Sequence, residues 1–438
     1  MKVFRSKKYL ILTFIMIVLL MITFETRGKG VEVSLISKDI ITIVKDAVTS
    51  KKVIPTSKEY EEENLEEEIF EAETFEEEVN LGEENLIPEN LINHVSERVK
   101  KIKAITSENT TNLAFTTDNH IREGFYNFGL KGYNILNTID KEIKLEAVIN
   151  GGDTVAYGSE DKKEAIKSLK RIIKGFHDKK RHLYTVGNHD SNGMEAIYDK
   201  KYFLSDSEKY KILGRHLSKE VVWGSKSGMY YYKDIEASKI RIIVLNTSDL
   251  PWSSKKFFEG KLKYDILNTY AIQDEQLVWL GQKALNFEDK SDKNQWHTII
   301  FCHTPLLDER EGIIDNNYVE NKSLALGILE AFTKGTSYKG ISKGNLKTTV
   351  EVDFSRQGPM AIIGVFSGHV HNDNHVVKRG INHVTTMADY AEKFKETMPE
   401  RNIGEVSEIC FDVITIDKGK RKVTLTRFGA GRDRIFNY

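Results

Sequence analysis

The segment AIIGVFSGHVH (361–371) is an apolar run of strand length that ends directly in two histidines. A short apolar stretch bounded by turn residues is the pattern of a buried strand. Four other segments share that layout. NLAFTT (112–117) runs into Asp118, LEAVING (145–151) into Gly152 and Asp153, RHLYTVG (181–187) into Asn188 and His189, and HTIIF (297–301) into Cys302 and His303. Helical patterns lie between them, from Asp161 to Phe176 and from Asp274 to Phe287, where Leu277, Leu280 and Leu285 fall on one face. Strands alternating with helices predict an α/β domain rather than a sandwich or a bundle. In open α/β sheets ligands bind beyond the carboxyl ends of the strands, so these five loops are expected on one rim.

The loops carry atoms able to hold metal: Asp118 and His120, Asp153, Asn188 with His189 and Asp190, His303, and His369 with His371. Taken singly, each has an ordinary structural reading as a turn, a solvated histidine or a hydrogen-bonded core histidine. Those readings do not account for the conjunction. Five of the twelve histidines stand beside carboxylates and an amide, each set following an apolar run. Imidazole, carboxylate and amide donors without thiolate suit Mn, Fe, Ni or Zn better than a calcium or magnesium cage. They outnumber the three or four ligands of one zinc site, so two divalent ions sharing a carboxylate are expected. Two cations about 3.5 to 4 Å apart can hold a hydroxide and neutralise phosphoryl oxygens, which makes phosphate-ester hydrolysis the natural chemistry.

In order and spacing, TDNH (117–120), GDTVAYG (152–158), GNHD (187–190), FCHTP (301–305) and GHVH (368–371) resemble the calcineurin-like metallophosphoesterase superfamily over residues 110–390. QDEQLVWLGQKAL (273–285) is similar to the family's Gln-x-x-Trp-Leu helix. The resemblance implies a fold of two packed mixed β-sheets flanked by helices. It also implies that Asp118, His120 and His371 hold one ion, that Asn188, His303 and His369 hold the second, and that Asp153 bridges them. His189 would be the acid that protonates the leaving oxygen, with Asp190 fixing its tautomer and raising its pKa. Thr154, Val155 and Ala156 stand where the protein-phosphatase branch often carries aspartate and arginine, which argues against that specificity.

The remainder of the 438 residues sets compartment and organisation. Lys2, Arg5, Lys7 and Lys8 precede an apolar run from Tyr9 to Phe24, without a small-x-small cleavage site after it. Residues 1–28 are therefore expected to be a membrane anchor or a cleaved signal peptide, placing the bulk of the chain outside the cytoplasmic membrane, anchored or secreted. Residues 29–100 are expected to be a spacer whose stretch 59–84 holds 14 Glu and no Lys, Arg or Asp. The formal net charge of -1 thus hides an excess of positive charge in the catalytic domain expected over 101–438. Two cysteines, Cys302 and Cys410, form neither a disulfide framework nor a zinc knuckle. Arg427, Arg432 and Arg434, set among glycines, are expected to clamp an anionic substrate. His375 and His383 are read as structural or as rim groups, and Glu309 to Asp353 as an insertion shaping substrate access. The expected partner is a small-molecule or envelope-derived phosphate ester. Nucleic acid is disfavoured, because no compact basic and aromatic stripe is present. A nuclease of the same fold and a surface binding module with a structural metal stand as alternatives, although a structural ion has no use for a histidine like His189.

Overall fold

The computed structural model describes residues 89–438, apart from 123–125, 157–161, 193–199, 251–256, 259–260, 263–265, 314–317, 392–398 and the single positions 218, 343 and 345. The expected anchor and the acidic tract lie outside the described residues. The first described element is helix α1 (Glu89–Ile105), whose Leu91, Val95, Val99 and Ile102 recur at helical spacing and are buried in the main core. A domain boundary at residue 101 therefore falls inside a helix of the folded unit. Charged residues on its outer face give the stretch a polar composition that conceals this stripe.

The chain continues through β1 (Thr110–Thr116), α2 (Tyr126–Glu142), β2 (Ala147–Asn150), α3 (Lys162–Gly175) and β3 (His182–Tyr184). An antiparallel meander follows, made of β4 (Val222–Ser225), β5 (Tyr230–Ile235) and β6 (Ile240–Val244). Next come α4 (Asp274–Trp279), extended by a π turn over Leu280–Ala284, then β7 (His297–Cys302) and α5 (Lys322–Lys334). The last strands are β8 (Ala361–Ser367), β9 (Asn374–Lys378), β10 (Ile381–Thr385), β11 (Cys410–Asp417), β12 (Lys422–Gly429) and β13 (Arg434–Asn437).

These strands build two large mixed sheets. The six-stranded sheet has the order β13-β12-β11-β1-β2-β3, with β1, β2 and β3 parallel and β11 antiparallel to β1. The seven-stranded sheet has the order β9-β10-β8-β7-β6-β5-β4, within which β6, β7, β8 and β10 are parallel. They pack face to face: Phe115 of β1 meets Phe301 of β7 at 5.3 Å and Phe366 of β8 at 6.3 Å between ring centroids. Alternation along the strands decides which core each residue joins. Ile242, Ile299 and Phe366 enter the core between the sheets, whereas Ile243, Ile300 and Val365 enter a second core beneath α4 and α5 with Leu277, Leu280, Leu324 and Ile328.

The segment 309–353, expected to shape substrate access, contributes to the core in its described part. That part holds α5 and the hairpin Ser337–Ile341 with Thr349–Asp353, whose Val350 and Val352 complete that second core. The consequence for function lies in strand direction. The loops that follow β1, β2 and β3 carry Asp118, Asp153 and Asn188, while those that follow β7 and β8 carry His303 and His369, so two parallel sets from two packed sheets deliver their carboxyl-end loops to one place.

Candidate metal centre

Two groups of donors form there: Asp118, His120 and His371 in one, and Asp153, His303 and His369 in the other. In the first, His371 Nε2 lies 3.1 Å from His120 Nε2 and 3.1 Å from Asp118 Oδ1. In the second, His303 Nε2 lies 3.1 Å from Asp153 Oδ2 and 3.3 Å from His369 Nδ1. Asn188 joins that group, its Oδ1 standing 3.1 Å from both His303 Nε2 and His369 Nδ1. The orientation of this amide is fixed from behind, because Asn188 Nδ2 donates to the Leu267 carbonyl (3.2 Å). Lone pairs of two imidazoles and a carboxylate converging this closely require a proton or a cation between them, so the donor set fits a divalent ion in each group.

The backbone is bent to achieve this. Asp118 (φ 54°), His120 (φ 43°), Asp153 (φ 51°), His369 (φ 67°) and His371 (φ 50°) all adopt the left-handed region, at a cost of about 1 kcal/mol or more each. Such strain persists only where neighbours over-determine it. Thr117 Oγ1 donates to Asp118 Oδ2 (2.6 Å), His189 N–H donates to Asp153 Oδ1 (2.9 Å), and His303 Nδ1 lies 2.8 Å from the Gly151 carbonyl. The loops also approach too closely for side chains at two glycines: a Cβ at Gly368 would overlap Thr117 Oγ1 and Asp118 Oδ2, and one at Gly187 would overlap Asp153 Oδ1.

Electrostatics favour ligating protonation states. Burial alone would raise the Asp118 carboxyl, but His371 outweighs it and holds the group at about 2. Burial likewise opposes ionisation of Asp153, yet His303 and His189 drive it well below the ordinary value. His120 and His369 are pushed down to about 3, by burial first and then by neighbouring histidines, which leaves their nitrogens free of a second proton. His303 is the exception. Burial lowers it, but Asp153 and then Asp118 lift it to about 10, so a proton there occupies the charge that a cation would take.

His189 belongs to neither group. It is buried, its ring stands edge-on to His120 at 5.0 Å between centroids, and its Nε2 lies 3.9 Å from Asp153 Oδ2. Burial lowers its pKa despite Asp153. Asp190 corrects an expectation, because it does not orient the His189 ring. Its carboxylate accepts backbone N–H groups from Thr154 (2.7 Å), Gly187 (2.8 Å), Asp153 (3.1 Å) and Val155 (3.3 Å), which ties the loop after β2 to the loop after β3.

The arginine clamp is also corrected. Arg427 is wholly buried, with Asp412 at 2.9 Å, and Arg434 donates to Asp412, Thr385 O and Thr386 Oγ1. Arg432 is exposed beside a surface cavity of about 520 Å³ whose lining also includes Arg434, Asp373 and Asp433. His375 bonds Asn382 Oδ1 (2.8 Å) and His383 is buried in β10, so both are structural. Cys302 is buried on its strand, 3.2 Å from Ser367 Oγ, and burial pushes its thiol up to about 12. Two tyrosines carried no motif signal: Tyr270 is edge-on to His369 at 4.9 Å and Tyr390 to His120 at 6.1 Å.

Two packed mixed sheets, with the five motifs meeting as paired donor groups at their strand ends, match what the sequence resemblance implies. No protein-family model and no curated protein matches the chain. Among solved structures, the fold is similar to a dimetal phosphatase from Danio rerio, at 12% identity over 75% of this chain and 99% of that one, with a TM-score of 0.49. It is also similar to a calcineurin-like phosphoesterase from Bacillus subtilis (12% identity, 75% and 90%, TM-score 0.36) and to a NAD nucleotidase from Haemophilus influenzae (13% identity, 75% and 49%, TM-score 0.34).

Proposed function

We propose that this chain hydrolyses a phosphate mono- or diester with two divalent metal ions, on the outer side of the cytoplasmic membrane. The observation that carries the reading is the pairing of two donor groups with a buried histidine, His189, that lies against both and belongs to neither. Asp118, His120 and His371 would hold one ion, Asn188, His303 and His369 the other, and Asp153 would stand between them. A nitrogen and oxygen donor set without thiolate suits Mn, Fe, Ni or Zn. When bound, such a pair neutralises phosphoryl oxygens and lowers the pKa of water, which supplies the nucleophile. The chain's own residues then do the rest. The Leu267 carbonyl keeps the Asn188 oxygen turned inward, Asp190 keeps the loops after β2 and β3 in register, and His189 donates a proton to the departing ester oxygen.

The compartment rests on Lys2, Arg5, Lys7 and Lys8 preceding the apolar run 9–24, and the substrate on the chemistry: a small or envelope-derived phosphate ester. The test uses the full chain purified in detergent, stripped of metal and assayed with nitrophenyl phosphate and bis-nitrophenyl phosphate. Activity is expected only after adding a transition ion, with about two ions bound per chain. Binding of two ions without hydrolysis of any ester would favour the surface binding module instead.

A further inference from the structure

Arg427 lies in β12 with none of its surface exposed, and each of its five side-chain N–H groups has an acceptor. Nε donates to Asp412 Oδ1 (2.9 Å), and Nη2 to Asp412 Oδ2 (3.1 Å) and Asp373 Oδ1 (2.7 Å). Nη1 donates to the Ala430 carbonyl (2.8 Å) and to Cys410 Sγ (2.9 Å). The two carboxylates belong to different sheets. Asp412 is in β11 of the six-stranded sheet, whereas Asp373 lies in the loop between β8 and β9 of the seven-stranded sheet, two residues beyond His371.

That loop supplies one histidine to each donor group, with His369 and His371 both held in the left-handed region. Its conformation needs an outside anchor, and the contacts to Asp373 and its neighbour provide one. Besides Arg427, Asp373 Oδ1 accepts the Met387 N–H (3.2 Å) and faces Arg434 Nη1 at 3.5 Å, while the Asn372 carbonyl accepts Thr385 Oγ1 (2.6 Å). A planar guanidinium saturated on the six-stranded side has one remaining direction of donation, and it points at this loop.

We propose that Arg427 is a positioning residue for metal binding: through Asp373 it locks the His369 to His371 loop in its ligating shape. The proposal rests on the reading of the donor groups as a metal centre. Groups that orient ligands from behind typically contribute 10- to 100-fold to metal affinity. Arg427→Met would strand two carboxylates and put folding at risk, so Asp373→Ala is the deciding variant. It removes the loop's acceptor and charge and leaves Arg427 its bonds to Asp412, Ala430 and Cys410. Asp433→Asn is the control, because Asp433 accepts only the Arg427 backbone N–H (3.0 Å) and surface cations.

The experiment titrates metal-free full chain with Co(II), following the visible absorption of the bound ion, with thermal midpoints measured alongside. Asp373→Ala should keep its midpoint within a few degrees of the parent, weaken at least one Co(II) dissociation constant by roughly 10- to 100-fold, and recover hydrolysis when Co(II) is raised. Asp433→Asn should bind Co(II) as the parent does. Unchanged constants in Asp373→Ala, or metal lost only in step with unfolding, would overturn the positioning role. A parent chain that binds no Co(II) would overturn the metal-centre reading itself, and the proposal with it.

Discussion

The backbone N–H of His369 donates to the carboxylate of Asp118, 2.9 Å from Oδ2 and 3.2 Å from Oδ1, across 251 residues of sequence. Asp118 belongs to one donor group and His369 to the other. A carboxylate that would hold the first ion therefore also fixes the backbone of a ligand to the second. This contact joins the end of β1 in one sheet to the end of β8 in the other.

The first prediction follows from that contact. Asp118→Ala removes a ligand and releases His369, so bound metal should fall from about two ions per chain to below one. Asp118→Asn keeps an acceptor for the His369 N–H and should retain more of the second ion. Elemental analysis after dialysis reads both outcomes. An alanine variant that keeps one ion at full affinity would show the two groups to be independent.

Asp190 gives the second prediction. Four backbone N–H groups point at its carboxylate, and alanine would leave them buried without an acceptor. Unmet buried donors cost roughly 1 to 3 kcal/mol each before relaxation, so Asp190→Ala should lose about 3 kcal/mol or more of unfolding free energy. Denaturant midpoints measure this. A stability equal to the parent's would mean that the loops after β2 and β3 are held by something else.

Much of this site was legible because strand ends announce themselves: an apolar run followed by Asp118, Asp153, Asn188, His303 or His369 fixes where each donor leaves its sheet. Direction within a loop was not legible. His189 and Asp190 are neighbours on one 3-10 turn, yet one ring faces His120 while the adjacent carboxylate faces the opposite loop. Arg427 misled because arginines among glycines look exposed, although a signal existed. Val423, Leu425 and Arg427 are alternate residues of one strand and share its buried face, so an inward arginine needing partners was the period-two reading. Asn119, in the middle of the first motif, turns out to face inward, accepting from Asn150 Nδ2 (2.8 Å) and donating to the Gly129 carbonyl (3.2 Å). No spacing rule predicts such a contact, since it depends on how α2 sits over β1 and β2.

His383 carries a prediction about pH. It is buried in β10, its Nε2 has no hydrogen-bond partner among the described residues, and burial, followed by His375, lowers its pKa from 6.5 to about 4. The folded state thus prefers the neutral ring. Its contribution to stability is complete above the unfolded value of 6.5 and is lost as pH falls through 4. The loss attributable to this residue is at most about 3 kcal/mol. His383→Leu should therefore show a flatter fall of thermal midpoint than the parent between those two pH values. Parallel curves would assign the acid sensitivity to other groups.

The last prediction separates holding metal from moving a proton. His189 is buried against His120 but lies outside both donor groups, whereas His303 sits within 3.1 Å of Asp153 and of Asn188. If His189 protonates the departing oxygen, its loss should matter little when that oxygen leaves readily as nitrophenolate and much more when it leaves as an alkoxide. General acid assistance is typically worth about 10² to 10⁴ in rate. His189→Ala should accordingly keep its metal, hydrolyse a nitrophenyl ester near the parent rate, and slow by that factor on an alkyl ester. His303→Ala should lose metal and depress both substrates together. Metal content and the two rates, measured side by side on both variants, decide the matter. Loss of metal from His189→Ala would make it a ligand, and equal slowing on both esters would make it a residue that positions substrate.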